Sequence, residues 1–141
     1  MISFELVTLT GIKLKESVHE VILPTSTGQI AVFTNHAPLV STAVAGVISV
    51  RKKSDHPDDM LVNYAIDSGI IEIADNTVRV LVDEADKDSD VSAKEATEAL
   101  KRAKQLRAEA KDQVSLDKAQ SLVDRQTSRL KIAELKRRSR R

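Results

Sequence analysis

Over the first 82 residues the apolar positions fall in short runs rich in Val, Ile, Leu and Thr. ISFELVTL (2–9) and IKLKESVHEVILP (12–24) alternate apolar and polar residues, as half-buried strands do. GQIAVF (28–33), LVSTAVA (39–45), VISVRKK (47–53), MLVNYAI (60–66), GIIEIA (69–74) and TVRVLVD (77–83) follow. Turn residues divide them: Thr10-Gly11, Thr27-Gly28, Ala45-Gly46, residues 55–59, Ser68-Gly69 and Asp75-Asn76. Closely spaced short strands without helices between them predict an antiparallel sandwich or barrel.

From Asp83 the period changes. DEADKDSD (83–90) reads as a polar, acidic connector. Ser92 and Glu95 then form a capping box, which satisfies the free amides of a new helix. Ala96, Ala99, Leu100, Ala103, Leu106 and Ala110 recur at three- and four-residue steps, a narrow stripe of mostly small side chains. KDQVS (111–115) predicts a short connection. A second helix carries Leu116, Ala119, Leu122, Val123, Leu130, Ala133 and Leu135, interrupted by Gln126 and Thr127. The two helices should pair as an antiparallel hairpin. Its small-residue seam buries little area, so it should be detachable. The expected division is a sandwich over 1–85, a linker over 86–91, a helical hairpin over 92–138 and a basic tail over 139–141. KRRSRR (136–141) is expected to be solvated and frayed.

Charge follows the same boundary. Residues 1–90 hold 7 Lys+Arg against 14 Asp+Glu, and residues 91–141 hold 15 against 7. An acidic part joined to a basic part implies different partners for each. The basic positions Lys101, Arg102, Lys104 and Arg107 cluster on the first helix; Arg125, Arg129, Lys131, Lys136, Arg137 and Arg138 lie on the second. An exposed, solvated face is the plain reading of such charges, but their excess favours an acidic partner. Aromatic residues are limited to Phe4, Phe33 and Tyr64, which disfavours a base-stacking nucleic-acid module.

The length of 141 residues fits one domain, or a small domain with an appendage. Without Cys there is neither a disulfide nor a thiolate metal site. No run reaches the roughly 18 uncharged apolar residues of a membrane span. MISFELVTLTGIKLKES has no basic segment followed by an apolar one, so no signal peptide is expected. His19, His36 and His56 are not at ligand spacing, and neither GxGxxG, GxxxxGK[ST] nor GxSxG occurs. Asp58-Asp59 read as a solvated hairpin tip. No catalytic or metal site is expected, and no enzyme acting alone.

Three ordered stretches carry a resemblance: LPTSTGQIAVFTNHAPLVSTAVAGVISV (23–50), DSGIIEIADNTVRVLVDEA (67–85) and RLKIAELKRR (129–138). Together, and over nearly the whole length, they resemble the epsilon subunit family of F-type ATP synthases, called delta in mitochondria. The resemblance implies an all-β N-terminal sandwich of about ten strands plus a C-terminal antiparallel two-helix hairpin. It implies a central-stalk rotor subunit, non-catalytic alone, on the cytoplasmic face of a bacterial inner membrane as a peripheral part. Partners would be the gamma subunit, the c-subunit ring and the alpha/beta catalytic head. The helices would reach an acidic segment of beta and brake ATP hydrolysis. Membrane contact would come only through the complex.

By the same resemblance Gly28 and Gln29 form a turn facing the c-ring. Asn35, His36, Ala37 and Pro38 form a turn that docks on the shaft. Lys101, Arg102, Arg125, Arg129, Arg137 and Arg138 supply regulatory basic faces. Asn35 stands where the family usually has Gly, and Asn accepts left-handed backbone angles better than most residues. Gln29 replaces an acidic residue. Some relatives bind ATP in the hairpin, where Arg102, Arg125 and Arg129 would be candidate ligands. Here Ser92 and Glu95 replace an Asp and an Arg of that motif, so weak or absent ATP binding is expected and no cofactor is assigned. The alternative reading is a β-domain adaptor whose basic helical arm binds nucleic acid.

Overall fold

A computed structural model of the chain describes residues 1–139; the last two positions of the expected basic tail, Arg140 and Arg141, lie outside them. Ten strands come first: β1 (Ile2–Thr8), β2 (Gly11–Val18), β3 (Glu20–Thr25), β4 (Gly28–Val32), β5 (Leu39–Ala43), β6 (Gly46–Arg51), β7 (Val62–Ile66), β8 (Gly69–Ala74), β9 (Thr77–Val82) and β10 (Ala85–Lys87). Two helices follow, α1 (Ala93–Glu109) and α2 (Gln113–Ser139).

The strands form two layers. One has the order β4-β3-β6-β7-β10 and the other β5-β8-β9-β1-β2, joined where Thr25 of β3 meets Ala43 of β5. All pairings are antiparallel except β1 with β9. That parallel pair departs from the purely antiparallel expectation, since it joins segments some 75 residues apart that local alternation cannot register. The run 12–24 breaks into two strands at His19, and the acidic connector contributes the unexpected β10, which pairs with β7.

Alternation decides which side chains fill the interior. Ile2, Phe4 and Leu6 of β1, Ile71 and Ile73 of β8, and Val78, Val80 and Val82 of β9 face Val21 and Leu23 of β3, Ile48 and Val50 of β6, and Tyr64 and Ile66 of β7. Each such side chain contributes about 1.5–3 kcal/mol by burial, so this core is the main source of stability. A second, smaller cluster lies on the outer face of the first layer. There Ile132 of α2 packs on Val47 and Ala65, with Val91 and Leu135 beside it. The hairpin is therefore folded down against the sandwich.

The helix ends follow their caps. Ser92 Oγ accepts the Glu95 N–H at 3.4 Å, as the capping box predicts. Asp112 accepts the Ser115 N–H at 2.7 Å, so α2 starts at Gln113 rather than after the expected 111–115 connection. Lys136 to Ser139 continue α2 rather than fraying. Asp88, 3% exposed, accepts the Asn63 N–H at 3.0 Å and ties the segment after β10 to β7. The expected linker 86–91 is thus largely fastened to the sandwich, and the chain leaves it at Val91–Ser92.

Candidate interaction surfaces

The two candidate turns lie at opposite ends of the sandwich. β4 runs from Gly28 to Val32, with the first turn before it and the second after it. At one end Gly28, with φ of 122°, follows the tight β3–β4 connection; Gly28 and Gln29 are both exposed. The β7–β8 turn at Asp67-Ser68 and residues 83–84 share this end. Burial raises the Asp67 carboxyl above the ordinary range, and the Glu84 N–H donated to it at 3.5 Å offsets this only in part.

At the other end Asn35 takes a φ of 58°, the left-handed geometry expected of it in place of Gly. Its N–H donates to Asn76 Oδ1 at 2.8 Å, while Asn76 Nδ2 donates to the Met1 carbonyl at 2.9 Å. The turn from Phe33 to Pro38 is thereby pinned to the β8–β9 turn and the N-terminus. His36 Nδ1 lies 2.7 Å from the carbonyl of Ala37, and its own N–H donates to the Phe33 carbonyl at 3.2 Å. His36 is half-buried, and its ring contact is local; Ala37 and Pro38 are exposed. Asn76 had no sequence signal beyond being a turn residue, because its partner is 41 positions away.

The basic positions of the hairpin separate into two groups. Lys101, Arg102, Arg137 and Arg138 are exposed. Arg125 and Arg129, one helical turn apart on α2, instead meet carboxylates of the sandwich. Arg125 pairs with Glu84 and, at 3.6 Å, with Asp86; Arg129 Nε lies 3.2 Å from Asp86. Glu84 and Asp86 carry no local signal of this role, because an acidic connector has the pattern of a solvated segment. Arg102 stands exposed on α1 at the rim of a shallow groove with Leu106, Leu122 and Gln126.

Among the described residues the helices pack chiefly on β6 and β7 of the first layer rather than on the outer face of the second. Strand register places Thr42, Ile70, Leu81, Val7 and Ile12 in one row across it. Ile70, Leu81 and Ile12 are 49%, 37% and 63% exposed, an unusual run of open apolar surface. The next row alternates charge: Glu72, Arg79, Glu5, Lys15. Arg79 Nε lies 2.8 Å from Glu5 and Lys15 Nζ 3.3 Å from it, which holds the Glu5 carboxyl below the usual carboxylate range.

Residues 1–88 match the model of the ATP synthase delta/epsilon chain, β-sandwich domain. The chain belongs to the ATP synthase delta/epsilon family. It is 34% identical to the ATP synthase epsilon chain of Gloeobacter violaceus over 84% of its own length and 86% of that protein. It is 35% identical to the chloroplastic epsilon chain of Oltmannsiellopsis viridis, over 84% and 87%. Its fold is similar to a chain in the Euglena gracilis mitochondrial ATP synthase structure of OSCP, F1 and c-ring, with a TM-score of 0.75, 18% identity, and 90% and 78% of the two chains covered. A chain in the Tetrahymena thermophila mitochondrial ATP synthase central stalk and c-ring is similar at a TM-score of 0.58 and 15% identity, over 91% and 95%.

As a delta/epsilon chain the protein is a non-catalytic subunit. The family match stops at Asp88, the residue that fastens the end of the sandwich. Among the described residues no helix is long and apolar enough to cross a membrane.

Proposed function

We propose that the chain is the rotor subunit that couples proton flow through the c-ring to ATP synthesis, and that its hairpin restrains ATP hydrolysis. The observation that carries this reading is the pairing of a well-packed sandwich, with candidate contact turns at opposite ends, and a hairpin held by a small apolar contact. Gly28 and Gln29 would face the c-ring. Asn35 to Pro38, with the open apolar row of the second layer, would dock on the gamma subunit. The hairpin, once released, would present its arginines to an acidic segment of the beta subunits. The whole would sit peripherally on the cytoplasmic face of a bacterial inner membrane.

No cofactor is assigned. Arg125 and Arg129 already hold carboxylates, and Glu95 is exposed at the start of α1, which supports a hairpin that folds without nucleotide. Calorimetric titration with ATP should give no binding at cellular concentrations. The functional test is hydrolysis by the reconstituted complex containing either the full chain or a truncation after Asp90. Faster hydrolysis with the truncation is expected; equal rates would remove the braking role. Failure of the chain to co-purify with gamma would remove the rotor assignment altogether.

A further inference from the structure

The contact between hairpin and sandwich is asymmetric in its chemistry. Its buried apolar part is small: among the described residues Val47 and Ala65 of the sandwich meet Ile132 of α2, with Leu135 of α2 and Val91 of the connector beside them. Register continues that row directly into charge, since Val47 is opposite Ala65 and Ala65 is opposite Asp86. Asp86 of β10 and Glu84, just before that strand, are two residues apart, a spacing of about 6.6 Å where the backbone is extended. Arg125 and Arg129 are four apart on a helix, a spacing of about 6 Å on one face. The two repeats match, and both arginines find a carboxylate.

Three of the four groups are partly shielded from water, while the Glu84 side chain is 53% exposed. The side chains of Arg125, Arg129 and Asp86 are 32%, 20% and 24% exposed. The Arg129 guanidinium donates through Nη1 to Gln126 Oε1 at 2.9 Å, while its Nε meets Asp86 as an ion pair without a hydrogen bond. On the sandwich side the carboxylates are held in place, Asp86 within β10 by pairing with Ala65 and the next turn by Asp88 on Asn63. The hairpin can therefore leave without β10 leaving.

We propose that Glu84 and Asp86 are an internal clasp for Arg125 and Arg129, and that this clasp, more than the apolar contact, keeps the hairpin docked. The two arginines then serve either the sandwich or an outside acidic surface, never both. The clasp rests on the geometry alone; its regulatory consequence rests on the rotor reading above.

The absence of Cys makes the test direct. Spin labels at Asp55→Cys and Lys131→Cys, both exposed positions, report the distance between sandwich and α2 in the full chain. A short, narrow distance is expected at low ionic strength. About 1 M salt, which shortens screening to roughly 3 Å, should broaden and lengthen it. Glu84→Lys with Asp86→Lys should do the same at low salt, lowering the docked-to-released ratio at least about tenfold. Adding Arg125→Glu and Arg129→Glu should restore the short distance, which a merely misfolded variant would not do. An unchanged short distance in the doubly reversed variant, or no rescue by the swap, overturns the clasp. If the reversed variant is released but leaves hydrolysis by the reconstituted complex unchanged, the clasp stands and the regulatory consequence fails.

Discussion

Single residues set limits that composition does not reveal. A Cβ built on Gly69 would lie 2.1 Å from the carbonyl oxygen of Leu81. The neighbour is backbone of β9, which cannot move without breaking its ladder. Gly69→Ala should therefore cost about 2–3 kcal/mol in urea unfolding, although Ala suits a strand start better than Gly does. Asn76 offers a second case. Asn76→Ala removes acceptor and donor together, at about 1–2 kcal/mol, and should raise amide exchange at Asn35 and His36 while sparing β6 and β7. Glu5 gives a pH signature. Its carboxyl is held low by Arg79 first and Lys15 next. A lowered folded value means stability is fully present above the unfolded carboxylate range and lost as pH falls through the folded one. Acid titration should show this loss below about pH 4, and Glu5→Gln should flatten that limb of the curve.

Elements differ in how openly the sequence declares them. Eight apolar runs, the Ser92–Glu95 cap and the Ala stripe are local signals, and the strands and α1 follow them. β10 is three residues, Ala-Asp-Lys, too short and too charged to alternate visibly; it forms because β7 offers an open edge. The cap at Asp112 was legible in principle, since Asp lies three residues before Ser115, but it competed with a longer connection. Asp112→Ala should cost about 1 kcal/mol and loosen the first turn of α2. Hydrogen exchange would then quicken at Val114 to Leu116 and not at Ile132. Of the candidate surfaces, the turns at Gly28 and Asn35 were readable from Gly, Asn and Pro. The partners of Arg125 and Arg129 were not, because no periodicity links residue 86 to residue 129.

At the scale of the molecule two units share one boundary. Among the described residues the sandwich core draws its buried side chains from the ten strands, with none from either helix. Truncation after Asp90 should consequently leave a folded β domain, losing helical but not strand signal in circular dichroism, with an unfolding midpoint shifted by only a few degrees. The newly open strip at Val47 and Ala65 is small.

β4 spans the sandwich from the Gly28 turn to the Asn35 turn in five residues. Hydrogen bonds to β3 run across its axis, over the register Val21–Val32 to Thr25–Gly28. A force applied between the two ends would load those bonds together, in shear, instead of peeling them one at a time. Should the ends hold different partners, as proposed, this exposed edge strand would also be one oriented to bear torque.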